Sequence, residues 1–239
     1  MKFYEELPLN KNNNEVISFV GGGGKTTSIK VLAKELSSLG LKVLITTTTM
    51  IFEPIKNEGD NFFLGDIPPD FKPNPGTITI LGESIRDGKL IGCDRNTIDR
   101  VSSRDLFNFI LVEADGAKRK PIKAPESYEP VICNSTSMTI GVIGIDAIGL
   151  EINGDNVHRP ERIKEVLSVT DNHIIDHSDL VKLALHPKGI FKESKGKKVL
   201  FINKIKVESQ IETGKQIKET LKDENIFVLL GDIMNKVYY

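Results

Sequence analysis

The sequence predicts an α/β fold: a three-layer domain whose mainly parallel sheet carries helices on both faces. Three observations point there. An apolar, β-branched run at Val16 to Val20 passes through four glycines into a stretch of helical periodicity. Further apolar runs of strand length recur along the chain, separated by polar and helical stretches. At 239 residues the chain can bury a sizeable core as one domain.

The first unit sets the frame. Gly21-Gly22-Gly23-Gly24 lets the backbone turn through unusual dihedrals and bring its amides close to a ligand. Lys25 adds a charge able to reach β- and γ-phosphates, and Thr26 adds a hydroxyl suited to Mg²⁺. Ile29, Leu32, Ala33, Leu36 and Leu39 then recur at helical spacing from Thr27 on, which places the phosphates at a helix N-terminus. The expected site comprises Gly21, Gly22, Gly23, Gly24, Lys25, Thr26 and Thr27 in a P-loop NTPase-like domain. Phe19 stands where the long form of the motif has glycine, so the loop is the short G-x-x-G-K-T form, similar to that of Mur-ligase-like P-loop proteins.

The rest follows in order. A short helix or arm fills Met1 to Asn14, with a turn at Lys11 to Asn14. Gly40 ends the first long helix, and Lys42 to Ile45 returns as a second, parallel strand closing a βαβ unit. Thr46 to Thr49 stand at its carboxyl end, where such sheets bind ligands. Glu53 to Pro75 reads as loop, and Thr77 to Leu81 as a strand. Asp87-Gly88 reads as a hairpin turn leading into Lys89 to Gly92, and Asn96 to Arg104 as a polar helix. The whole is one domain, residues 1–239, with a small inserted lobe over 51–104.

Leu106 to Val112 is a strongly apolar strand that delivers Glu113-Ala114-Asp115-Gly116 at its end. A carboxylate placed rigidly opposite the phosphates is what Mg²⁺ requires. Thr26 and Asp115 are the expected Mg²⁺ residues, with Glu113 in support, and Glu113 or Thr46 to Thr49 would organise the nucleophile. Lys123, between Pro121 and Pro125, is held stiffly enough to act on transferred phosphate or an anionic substrate. Lys25, Glu113, Asp115 and Lys123 are thus the catalytic candidates. Ser137 to Ile145 is a buried strand, and Val157 to Glu161 opens a helix with Pro160 in its first turn. Lys197 to Ile202 and Ile226 to Leu230 are strands flanking a helix that includes Gln216 to Leu221. After Lys197 to Ile202 come Asn203 and Lys204, nucleotide-binding candidates at the place of a guanine-reading motif. Lys206 replaces that motif's acceptor Asp, and an ammonium can only donate, so ATP is expected ahead of GTP.

A formal net charge of −1, with acids and bases interspersed, suggests no nucleic-acid or membrane partner. Cys93 and Cys133 lie far apart and in no metal spacing, which reads as reduced thiols in a cytoplasmic protein.

With these stretches assembled, the chain resembles the YqeC family of selenium-dependent molybdenum hydroxylase accessory proteins. The resemblance is carried by Phe19 to Thr27, Thr46 to Thr49, Glu113 to Gly116, Lys123-Ala124-Pro125 with Glu129-Pro130-Val131, Gly144 to Ala147 and Val157 to Glu161. It implies a nucleotide-binding protein that assists maturation of the selenium-dependent hydroxylase cofactor. The implied partners are that hydroxylase or its cofactor-assembly proteins. The expected activity is Mg²⁺-dependent NTP hydrolysis or phosphoryl transfer. The alternatives are a Mur-like ligase or small-molecule kinase, and a non-catalytic, nucleotide-gated delivery protein.

Overall fold

The computed structural model describes residues 1–10, 14–52 and 59–239. The turn expected at Lys11 to Asn14, and Glu53 to Glu58 of the expected loop, lie largely or wholly outside those residues.

In chain order the elements are α1 (Phe3–Glu6), β1 (Glu15–Gly21), α2 (Lys25–Ser37), β2 (Val43–Thr47), β3 (Ile51–Phe52) and β4 (Asn61–Leu64). Next come β5 (Ile78–Gly82), β6 (Ser84–Arg86), β7 (Lys89–Ile91), α3 (Arg95–Ser103), β8 (Phe109–Glu113) and β9 (Thr136–Gly144). The chain closes with α4 (Pro160–Leu167), α5 (His177–Leu185), β10 (Lys197–Asn203), α6 (Glu208–Thr220), β11 (Ile226–Asp232) and β12 (Val237–Tyr238).

The fold is α/β, built on a nine-stranded sheet of order β12-β11-β10-β9-β1-β8-β2-β5-β4. Every pairing in it is parallel except β11 with β12. β1 and β2 are parallel, as a βαβ unit requires, but β8 lies between them. That insertion puts the end of β8 beside the glycine loop, with Glu113 level with Phe19 on one side and Thr47 on the other.

Side chains alternate across the sheet and sort the core into two faces. Ile17, Phe19, Phe109, Leu111, Val199 and Phe201 face α1 and α2. On α2, Ile29, Leu32 and Leu36 are buried, each worth roughly 1.5–3 kcal/mol. Leu200 and Ile202 face the opposite way, into a cluster with residues of α4, α5 and α6, while Ile110 and Val112 pack with Ile98 and Val101 of α3. Helices therefore cover both faces.

One stretch departs from the sequence reading, and a second has no element assigned in it. Asn61 to Leu64, expected as loop, is the edge strand β4, paired in parallel with β5. Its period-two alternation is only four residues long and sits among prolines, so the local signal is that of a loop. His177 to Leu185 is helical, started by Asp176, whose carboxylate accepts the amides of Ser178 and Asp179. β3, β7 and β6 form a separate three-stranded antiparallel sheet, with Asp87 and Gly88 both at positive φ in the expected hairpin turn.

Candidate functional site

The carboxyl ends of β1, β8, β2, β9 and β10 converge on the glycine loop. β1 runs to Gly21, and α2 begins at Lys25, so the turn between them is Gly22 to Gly24. Gly24 caps α2 at φ +126°, where an added Cβ would meet Asn203 Nδ2 at 2.6 Å. The loop's first amides are already used. Gly21 donates to Asp115 Oδ2 (3.0 Å), Gly22 to the Val142 carbonyl (2.9 Å) and Gly23 to the Lys120 carbonyl (2.9 Å). The amides of Gly24, Lys25, Thr26 and Thr27 have no acceptor among the described residues, as expected of a first helical turn.

Lys25 is buried, and its ammonium donates to the Gly21 carbonyl (2.5 Å) while lying 3.0 Å from Asp115 Oδ1 and 3.9 Å from Glu113 Oε1. Burial pulls its pKa down, but the carboxylates of Asp115 and Glu113 outweigh that and raise it. Thr26 Oγ1 donates to Glu113 Oε2 at 2.8 Å. Burial raises the pKa of Glu113 against the opposing pull of Lys25 and Thr26. The threonine expected at Mg²⁺ thus stands beside Glu113, whereas Asp115 is held by the Gly21 amide and two lysines.

The second lysine is Lys123. It is 1% exposed, and its ammonium contacts Glu129 Oε2 (2.6 Å), the Gly116 carbonyl (2.7 Å) and Asp115 Oδ2 (3.2 Å). Those acceptors match the three N–H bonds of an ammonium. Arg159 closes the chain of charges with a two-pronged grip on Glu129, one arm from Nη1 to Oε2 and the other from Nη2 to Oε1 (3.1 Å). Burial opposes ionisation of Glu129, but Arg159 and Lys123 prevail and hold its pKa below the usual carboxylate value. Glu113, Lys25, Asp115, Lys123, Glu129 and Arg159 form one line of alternating charge.

The remaining candidates serve the loop's frame. Asn203 donates from Nδ2 to the Gly23 carbonyl (2.8 Å) and accepts the Ile233 amide at Oδ1 (3.0 Å). Lys204 pairs with Asp146 (2.8 Å). Thr47 Oγ1 donates to the Glu113 carbonyl (2.9 Å) and Thr48 Oγ1 to the Val131 carbonyl (3.1 Å), which ties β2 to the acidic turn. The Thr46 hydroxyl is buried against the Cys93 thiol. Sequence reasoning gives Glu129 no role and leaves Arg159 open between a bidentate pair with phosphate or a carboxylate and a structural salt bridge; in the fold its partner is the Glu129 carboxylate. A signal was present: Glu129 follows Lys123 within a proline-stiffened stretch that ends at Pro130.

Two concavities, of about 530 and 270 Å³, lie away from this cluster, one below β4 around Ile67, Pro68 and Arg104, the other beside α4 around Glu126 and Lys188. Chemistry decides here over size, because neither contains the loop or its carboxylates. Among the described residues no three His, Cys, Asp or Glu side chains group to hold a metal, and no helix is long and apolar enough to cross a membrane. A cation at Thr26 would therefore take most of its oxygens from water and ligand, the habit of Mg²⁺.

Residues 17–161, from β1 to the first turn of α4, match the family model described as YqeC protein. The chain belongs to the YqeC family. The uncharacterized protein YqeC of Escherichia coli (strain K12) is 34% identical over 223 residues, covering 91% of this chain and 87% of that one. The stretch matched to the YqeC model contains the glycine loop, both carboxylates, Lys123, Glu129 and Arg159.

Cys93 and Cys133 lie in the α3-side core, where burial pushes their thiols up to about 11 and about 12. A thiol-specific colorimetric reagent at pH 8 is expected to find neither cysteine in the native protein and both after denaturation. Rapid native labelling would contradict the packing described.

Proposed function

We propose that this protein binds a nucleoside triphosphate with Mg²⁺ at the glycine loop, ATP ahead of GTP, and acts by NTP hydrolysis or phosphoryl transfer. The observation that carries this reading is the buried Lys25 ammonium at the start of α2, beside amides 24–27 that have no acceptor among the described residues and a Thr26–Glu113 pair. Lys25 and those amides hold the phosphates, as helix N-termini favour anions. Thr26 and Glu113 hold Mg²⁺, which supplies charge neutralisation when bound. Glu113 replaces Asp115 in that role because it is the carboxylate within reach of Thr26. Asp115 and Lys123 act as positioning residues behind Lys25. The resemblance to selenium-dependent molybdenum hydroxylase accessory proteins makes assistance in maturing that cofactor the associated cellular role.

A second reading, nucleotide-gated delivery without turnover, is favoured by one observation. The donors of Lys123 are all committed to Asp115, Gly116 and Glu129, which leaves this lysine no N–H for a transferring phosphoryl group.

Calorimetric titration with Mg·AMP-PNP and Mg·GMP-PNP tests the first claim. Wild type is expected to bind the adenine analogue, and Lys25→Ala to weaken it by about 30-fold or more, the loss of a charge-assisted bond and its neighbours. Equal binding by both proteins would remove the loop from the reading. Turnover with Mg·ATP then separates enzyme from delivery protein.

A further inference from the structure

Beside the ion-pair line lies a group that the nucleotide reading does not use. His158 pairs across an isolated parallel bridge with Lys123, and its amide donates to the Ile122 carbonyl (3.1 Å). Its imidazole is half-buried and has no hydrogen-bond partner among the described residues. A half-buried ring with an unmatched donor and acceptor is a costly thing to leave dry.

Its surroundings are cationic. Lys118, Lys123 and Arg159 act on it, with Glu129 opposing them. Lys123 is paired with Glu129 and Asp115, and Arg159 with Glu129 and Glu126, but Lys118 is exposed and makes no ion pair among the described residues. Tyr128, 69% exposed, lies with its ring centroid 5.7 Å from the Arg159 guanidinium and gives the place an aromatic rim. Backbone strain collects here too: Lys118 (φ 46°), Arg119 (φ 62°) and Arg159 (φ 63°) all hold left-handed conformations without being glycine.

We propose that His158, Lys118 and the Arg159–Tyr128 pair form a second anion site beside the glycine loop, which takes the phosphate or carboxylate group of the small molecule on which the nucleotide acts. Lys118 supplies the uncommitted charge, the imidazole a directional N–H, and Arg159 the rigid support. Lys123, bridged through its backbone to His158, is linked through Asp115 to Lys25 of the loop (3.2 and 3.0 Å). The acceptor role rests on the nucleotide reading, but the existence of an anion site does not.

Burial, then Arg159, Lys123 and Lys118, hold the His158 pKa down to about 4, so the ring is neutral at pH 7. The chain has four histidines, few enough for the ring-proton NMR lines to be separated, and H158Q identifies the line of interest. Inorganic phosphate, or malonate in a parallel arm, is expected to move that line saturably and to raise its titration midpoint. K118A is expected to weaken the effect about tenfold or more, the worth of one charge-assisted contact. K25A, or saturation of the wild type with Mg·AMP-PNP, should leave it intact. Response to phosphate alone or to malonate alone supports the site and names the group it takes. A line that neither anion moves, an undiminished response in K118A, or a response abolished by K25A overturns the proposal. The calorimetry at the loop has a separate readout, so either claim can fail while the other stands.

Discussion

Lys123→Met is expected to destabilise the protein by about 3–5 kcal/mol, the usual result of removing one partner from a buried ion pair. The size follows from the burial of what remains. Asp115 and Glu129 side chains are 2% and 9% exposed, and each loses a direct contact with the ammonium. Methionine matches the aliphatic stem in volume, so cavity formation adds little and the charge carries the effect. The neighbouring surface substitution Lys118→Ala is expected to change stability by no more than about 0.5 kcal/mol. Urea unfolding at pH 7 measures both, and a loss below about 1 kcal/mol for Lys123→Met would mean that the ion-pair line is not a structural unit. A pH dependence comes with it. Glu129 has a folded pKa below its unfolded value of about 4.5, so its contribution is present above that pH and is lost as pH falls through the folded pKa. Without Lys123 only Arg159 depresses that pKa, and the acid-unfolding midpoint moves up.

How far the sequence revealed this arrangement depends on the range of the interactions. Strand, glycine loop and α2 were legible because their signals are local: a β-branched run, four glycines, then helical periodicity. The rigidity of Lys123 was legible from Pro121 and Pro125. Its destination was not, since the partners Asp115 and Glu129 are brought together by β8 and by the return of the chain towards β9. The same limit explains why Thr26 meets Glu113 rather than Asp115. Two residues apart, they read as equivalent in sequence. In the fold β8 ends at Glu113, the Ala114 amide bonds the Phe19 carbonyl (2.9 Å), and Asp115 is drawn behind the loop to the Gly21 amide. Asn203 shows the opposite case, a residue located correctly beside the loop but spent on the Gly23 carbonyl and the Ile233 amide. Two-residue and four-residue strands at the sheet's edges, β12 and β4, carry too little pattern to be read at all.

Gly23→Ala is expected to cost about 2–5 kcal/mol, and the cause lies in the protein rather than in any ligand. Alanine at φ +71° carries roughly 1–2 kcal/mol of left-handed strain. Its Cβ would also stand 2.1 Å from the Gly144 nitrogen and 2.8 Å from the Gly144 Cα, backbone atoms of β9 that cannot turn aside. Forcing β9 away adds about 1–3 kcal/mol, as overpacking typically does. Two comparisons isolate these contributions. Gly40, at φ +81° with nothing within 4 Å of an added Cβ, should show the strain alone when changed to Ala. Gly116, with open space and no positive φ, should tolerate Ala within about 0.5 kcal/mol. Thermal unfolding of the three variants checks the order Gly23, Gly40, Gly116, and a Gly23→Ala protein as stable as wild type would refute the packing of the glycine loop against the end of β9. Loss of nucleotide binding in Gly23→Ala therefore says little about phosphate contact, because β9 already demands glycine there. The informative substitutions are Lys25→Ala and Thr26→Ala, which add no Cβ and remove the ammonium's contacts with the Gly21 carbonyl and Asp115 and the hydroxyl's contact with Glu113.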